Sequence, residues 1–232
     1  MNPLALNAAE SEAIGLSLWV AAWAVAFSLP AGMLTAWFLA RKTFPGKMLL
    51  DGLVHLPLVL PPVVVGYVLL ILFGRKGFLG AWLFENLGVT FAFNWKGAAV
   101  ASAVVAFPLL VRALRLSLET IDRGLEDAAR TLGSSPVKVF LTITLPLSVP
   151  GILAGAILAF ARSLGEFGAT ITFVSNIPGE TRTLPLALYT ALQTPGGETF
   201  AMRLCAISGG IALLALIGSD LLNRYFFPRL KG

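Results

Sequence analysis

Arg162 and Glu166 stand four residues apart in the run from Val149 to Phe173, which is otherwise apolar. An ionisable side chain at membrane depth is costly unless it is paired or reached by water, so such residues mark functional positions. A spacing of four puts both on one face of a helix, and Ser163 lies beside them. Two chemistries fit. The pair could neutralise itself against protein. Or it could line a wet path, with Arg162 attracting an anion and Glu166 limiting its stay, because a path must release what it binds. Covalent and metal chemistry have little to draw on. His55 is the lone histidine and Cys205 the lone cysteine, so neither an intrachain disulfide nor a Cys-based metal cluster can form. We expect no catalytic residue, no metal site and no cofactor. Cys205 reads as a small buried hydrophobe, and His55 as a neutral, hydrogen-bonded side chain. No phosphate loop of the form Gly-x-x-x-x-Gly-Lys-Ser/Thr occurs; Pro45-Gly46-Lys47-Met48 lacks both the spacing and the hydroxyl.

The elements that must hold these residues are set by lipid. Of 232 residues, 57% are hydrophobic and 12% charged, about half the charge of a soluble domain. Five stretches are long and apolar enough to span a bilayer: roughly 14–40, 49–73, 97–118, 149–173 and 204–222. They read as one transmembrane domain over 1–232, all-α and polytopic. The N-terminal residues carry Glu10 and Glu12 but no Lys or Arg, so the first stretch reads as a retained span rather than a signal peptide. Arg112 and Arg115 enter the third span and would snorkel toward its polar side. Pro30, Pro57, Pro61, Pro62 and Pro108 would bend their helices, and the cluster from His55 to Pro62 is dense enough for a real interruption. The run Leu184–Leu192 is too short to span and reads as interfacial or re-entrant.

Lys and Arg report orientation in such a chain. Eleven of the 17 fall on the side that holds the loop after span one, residues 119–148 and the C-terminal tail; five fall on the other side, and Arg162 is inside span four. The N-terminus is therefore expected outside and the C-terminus in the cytoplasm, with a net charge of +5 that is no signal for nucleic acid.

The cytoplasmic loop 119–148 contains a polar island. Leu125, Ala128, Ala129 and Leu132 follow the i, i+3, i+4, i+7 spacing of one helix face within 121–132. Gly133 is placed to end that helix in a left-handed cap. Ser134-Ser135-Pro136 then restarts a helix, with a hydroxyl at the N-cap and Pro at the first position. A short helix held crosswise between two spans could pass a push from a soluble partner to the membrane helices; an ordinary solvated loop is the alternative.

Glu126-Asp127-Ala128-Ala129, then Gly133, then Ile143-x-Leu145-Pro146 resemble the EAA motif of bacterial ABC-importer permeases, with Asp127 inserted after the Glu. The segments 56–66, 160–170 and 174–183, and Gln193-Thr-Pro195-Gly196-Gly197, resemble the molybdate permeases, so the likeness runs over nearly the whole chain. The resemblance implies a type I ABC importer permease fold in the inner membrane. It implies that Glu126, Asp127, Ala128, Ala129, Leu132 and Gly133 form a coupling helix docked on an ATP-binding cassette subunit. Two copies of that subunit, a homodimer of this chain and a periplasmic oxyanion-binding protein would complete the assembly. The outer loop, with Asn176, Glu180, Thr181 and Arg182, would be its docking surface or gate. Molybdate is the expected cargo, with tungstate or sulfate as alternatives. A secondary transporter or channel is a remote one, since five spans give no equal halves and no internal repeat is visible.

Overall fold

The structure, a computed structural model, describes residues 6–226, and among the described residues every regular element is helical. Arg229 and Lys231 of the charge count lie outside them. Helix α1 (Ala8–Arg41) opens with a reciprocal cap: Asn7 Oδ1 accepts from the Glu10 amide at 2.7 Å, and Glu10 Oε2 accepts from the Asn7 amide at 2.8 Å. At 34 residues it is about 51 Å long, well beyond the roughly 30 Å hydrocarbon core, so its ends reach polar surroundings. Pro30 does not interrupt it.

The second stretch does break. Helices α2 (Lys47–Val59) and α3 (Pro62–Phe73) meet at 113°. Pro61 and Pro62 each remove an amide donor, and Leu60, preceding a proline, is extended at φ −72° and ψ 141°. A helix the sequence did not indicate, α4 (Phe78–Leu87), packs back on α3. Helix α5 (Trp95–Thr120) is the central post, with Asn94 Oδ1 accepting from the Lys96 and Gly97 amides. It packs against α1 and four other helices.

Next come α6 (Arg123–Thr131) and α7 (Pro136–Val139). One π turn, Phe140–Thr144, then joins α7 to α8 (Leu145–Leu164). Residues 136–164 thus form one continuous 29-residue helix, with Pro146 and Pro150 inside it. The helix ends at Leu164, and α9 (Gly168–Val174) starts after a three-residue gap. The fourth expected span is therefore divided. Its apolar pattern continues on both sides of 165–167, but Gly165 in the gap and Gly168 at the start of α9 favour a break. Helix α10 (Leu184–Gln193) packs on α1 and α11 (Glu198–Phe226).

Two buried clusters, both threaded by α1 and α5, hold the bundle. One gathers Leu39, Leu110, Leu114, Leu118 and Ile121. The other gathers Val20, Val65, Val105, Phe173 and Val174. Among the described residues four helices are long and apolar enough to cross a membrane, or five if the bent pair α2–α3 counts as one span. No residue of α2 is buried, and Met48 and Val59 are 90% and 82% exposed. That outer apolar surface requires lipid or another chain. Cys205, expected inside, is exposed on α11, a helix whose apolar window is only 11% buried; its apolar surroundings mark an outward face, not a core.

Candidate functional site

The two ends of the bundle differ in chemistry. At one end the last turn of α1 meets the start of α6, and Asp51 of α2 meets Arg115 of α5 at 3.1 Å. Arg41, Lys42, Lys47, Arg112, Arg115, Arg123, Arg130 and Lys138 gather there. At the other end Trp19, Trp23 and Trp95 stack edge to edge, and Ser17 Oγ accepts from the Leu184 amide. His55 is hydrogen-bonded as expected, its Nδ1 2.8 Å from the Asp51 carbonyl oxygen.

Helix α6 projects from the basic end. Asp122 caps it, Oδ1 accepting from the Gly124 amide at 2.8 Å. Its exit is a Schellman turn: the Ser134 amide donates to Ala129 O at 3.0 Å and the Gly133 amide to Arg130 O at 2.9 Å, with Gly133 at φ +84°. Ser135 then caps α7, with Pro136 at its first position. The expected face is turned outward: Leu125 is 50% exposed, Leu132 is 87% exposed, and Asp127 and Ala128 are exposed with them. Ala129 is half-buried. Val137 and Leu141, 68% and 54% exposed, extend the apolar patch along α7 and the π turn.

Glu126 is the exception and points inward. It is the one buried residue of α6. Its Oε1 accepts from Arg41 Nη2 at 3.0 Å and from Thr144 Oγ1 at 2.8 Å. Arg41 Nη2 also reaches Ile121 O at 3.4 Å, and Arg123 Nη2 crosses back to Ala40 O at 3.2 Å. The sequence placed Glu126 with the outward residues and gave no sign of Arg41 or Thr144. A stretch that ends in Arg41 just after an apolar run is the only signal that could have found the first.

A second site forms where the two broken elements cross. Helices α3 and α9 pack face to face. A Cβ on Gly66 would lie 2.5 Å from the Ala169 carbonyl oxygen, and one on Gly168 would lie 2.9 Å from Pro62 Cβ. The breaks at Leu60–Pro61 and Gly165–Phe167 are thereby held together. Irregular backbone at membrane depth is tolerated only where it is buried in protein or lines a water-filled cavity. Arg162 lies in the last turn of α8, and Glu166 in the gap. They do not share a helix face, because the helix has ended between them. Their ion pair survives at 2.9 Å, without hydrogen-bond geometry at Glu166 Oε2. Glu166 Oε1 instead accepts from the Ala169 amide at 2.8 Å, in the first turn of α9. The two differ in access: the Glu166 side chain is 1% exposed, that of Arg162 30%. Ser163 is buried and its hydroxyl has no partner.

The outer-loop residues fold the loop more than they decorate it. Thr181 is buried, its Oγ1 accepting from the Ile177 amide and donating to Ser175 O. Asn176 bridges Arg182 Nε at 2.9 Å and Thr190 Oγ1 at 2.7 Å. Only Glu180 of the four is exposed. No group of acids, histidine and cysteine among the described residues could hold a metal ion.

The family described as "Binding-protein-dependent transport system inner membrane component" matches residues 28–232. The chain is 63% identical to the molybdenum transport system permease protein ModB of Escherichia coli K12, over 93% of this chain and 94% of that protein. It is 60% identical, at the same coverage, to ModB of Haemophilus influenzae. Identity to the sulfate permease CysT of Escherichia coli K12 is 38%, covering 87% and 72%. Among solved structures, a bacterial ABC transporter involved in alginate import aligns at TM-score 0.76 and 17% identity, covering 96% of this chain and 81% of that one. A methionine ABC transporter in an inward-facing state aligns at 0.65 and 15%, covering 93% of both.

Proposed function

The chain belongs to the family of binding-protein-dependent transport system inner membrane components, and from that premise we propose that it is the membrane-spanning permease subunit of an ATP-driven molybdate importer. Its fold is that of ABC importer permeases, and it is a multi-pass inner-membrane protein rather than an enzyme. The observation that carries the cargo is the extent of the likeness: it covers almost the full length of molybdenum permeases and exceeds the likeness to a sulfate permease. With no phosphate loop in the chain, energy comes from a separate ATP-binding subunit, and an extracytoplasmic binding protein delivers the oxyanion.

In the same reading, the other parts are assigned as follows. The basic end, with α6, faces the cytoplasm. The outward face of α6, Leu125, Asp127, Ala128 and Leu132, docks on the ATP-binding subunit, while Glu126 and Gly133 set its position and its end. Two copies of the chain pair around a two-fold axis; the uncovered apolar surface of α2 and α3 supports this. The path then runs beside the crossed breaks, where Arg162 is accessible to an anion. Glu166 is its counter-ion and holds the first turn of α9. The loop carrying Glu180 receives the binding protein.

The test is uptake of labelled molybdate by membranes carrying this chain with its partners, with tungstate and sulfate as competitors. Molybdate should accumulate only with ATP, and a hundredfold excess of sulfate should leave uptake nearly intact. Uptake without ATP, or with sulfate as the better substrate, overturns the reading.

A further inference from the structure

Between Ile121, buried in the core just before it, and Val139 of α7, the knob formed by α6 has no buried apolar residue. Its one buried residue is a carboxylate, and the leucines of its helix face outward. Apart from its covalent ends, what fixes it to the bundle is polar: Glu126 to Arg41 and Thr144, and Arg123 to Ala40 O. Arg41 and Glu126 are each 7% exposed at their side chains. As a device for stability this is a poor choice, since replacing a buried ion pair with apolar residues of similar volume is often neutral or stabilising. What a charged, doubly hydrogen-bonded carboxylate supplies is direction. One oxygen of Glu126 is shared between the last residue of α1 and a hydroxyl in the π turn that leads into α8. Bulges of this kind inside α-helices frequently occur at functional sites.

We propose that Arg41, Glu126 and Thr144 form a latch that makes α6 move as one body with the end of α1 and with the continuous helix 136–164. The proposal rests on the reading of α6 as the contact with the ATP-binding subunit. In it, Glu126 is not a docking residue. It is a positioning residue that acts through the two helices it joins. When the partner displaces α6, the latch carries the displacement to both helices. Without the latch, α6 still docks and ATP is still hydrolysed, but the helices do not follow.

The experiment uses the full complex in proteoliposomes, with molybdate delivered by its binding protein. The readout is molybdate transported per ATP hydrolysed, for each assembled complex. Arg41→Ala should lower that ratio about tenfold, the scale of a typical coupling free energy. The pair Arg41→Met with Glu126→Leu keeps bulk at the joint and should assemble, yet should lower the ratio as much. The swap Arg41→Glu with Glu126→Arg should restore most of it. A merely structural role would change the amount of complex and leave the ratio alone. A wild-type ratio in assembled Arg41→Ala or in the Met/Leu pair overturns the latch, as does an assembled swap with a low ratio. If none of the three assembles, the trio is a folding contact and the proposal falls. Leu132→Arg, measured in parallel, separates this from the parent reading. If it loses the ATP-binding subunit while Arg41→Ala keeps a wild-type ratio, only the latch fails; if it keeps the subunit and Arg41→Ala keeps a wild-type ratio, the assignment of α6 fails too.

Discussion

Removing Arg162 should cost assembly more than removing Glu166, and losing Arg162 should suppress uptake whether or not Glu166 is present. Arg162→Ala strands a carboxylate whose side chain is 1% exposed and which keeps one hydrogen bond, from the Ala169 amide. Breaking a fully buried pair costs about 3–5 kcal/mol, and an exposed one about 0–1 kcal/mol. With the arginine 30% exposed, an intermediate cost of about 2–3 kcal/mol follows from the same limits. Glu166→Gln keeps an oxygen to accept from Ala169 and leaves behind a half-accessible cation, so about 1 kcal/mol is expected, the size of one altered hydrogen bond. In the double variant the stranded charge is gone. It should therefore assemble better than Arg162→Ala alone, a negative interaction of about 1–2 kcal/mol in a double-mutant cycle. Uptake should behave differently. If Arg162 is the cation an oxyanion meets, both variants that lack it should transport below about a tenth of wild type, the scale of losing one charge-assisted hydrogen bond, and Arg162→Lys should retain part. Assembly is read as the fraction of chain that co-purifies with the ATP-binding subunit, and uptake is normalised to it. A double variant that assembles and transports at the wild-type rate would refute the assignment, leaving the pair as packing only.

Three further outcomes follow from the geometry. Gly133→Val should cost about 1–2 kcal/mol, because the residue sits at φ +84° where a Cβ meets the carbonyl oxygen; no neighbouring atom blocks it, so the chain should still insert while ATP hydrolysis and uptake come apart. Leu132→Arg, on a side chain 87% exposed, should leave the membrane bundle intact and weaken co-purification with the ATP-binding subunit; unchanged co-purification counts against α6 as the contact. Gly66→Val should force α3 away from α9, since a Cβ there lies 2.5 Å from the Ala169 carbonyl oxygen; the expected loss of folded protein in detergent is larger than for Gly15→Val, where nothing stands within 4 Å.

What could be read from the sequence is what is decided locally. The stop at Gly133 and the restart at Ser135-Pro136 depend on three or four neighbouring residues, and both are where the pattern puts them. The break between α2 and α3 is legible because two adjacent prolines cannot continue a ladder. The break at Gly165–Phe167 was hidden: apolar residues on both sides keep the helical period, and only the packing of α9 on α3 makes the interruption worthwhile. That hidden break is also why Arg162 and Glu166 could be seen as a pair but not as residues with unequal access. Arg41 and Glu126 are 85 residues apart, and no local rule joins them. Cys205 was misjudged because an apolar stretch in a membrane chain faces lipid as readily as protein.

The latch and the crossed breaks are joined by one element. The helix 136–164 starts beside the α6 exit, takes up Thr144 in its π turn, and ends at Leu164, two residues past Arg162. Its 29 residues make a rod about 43 Å long, enough to cross the hydrocarbon core with a turn to spare at each side. A rod of that length turns a tilt at one end into a displacement at the other, provided both ends are gripped. At the α6 end the grip is the Glu126 carboxylate. At the far end it is the Arg162–Glu166 pair and the first turn of α9, which is itself clamped on α3 through Gly66 and Gly168. Between them the helix touches α5 through small residues: a side chain at Gly151 would collide with Ser117, and one at Gly155 would lie 3.1 Å from Leu110 Cδ1. Small residues at such a contact let the two helices approach closely. A carboxylate from α6 on Thr144 at one end, an ion pair at the other and glycines along the middle are what a lever needs.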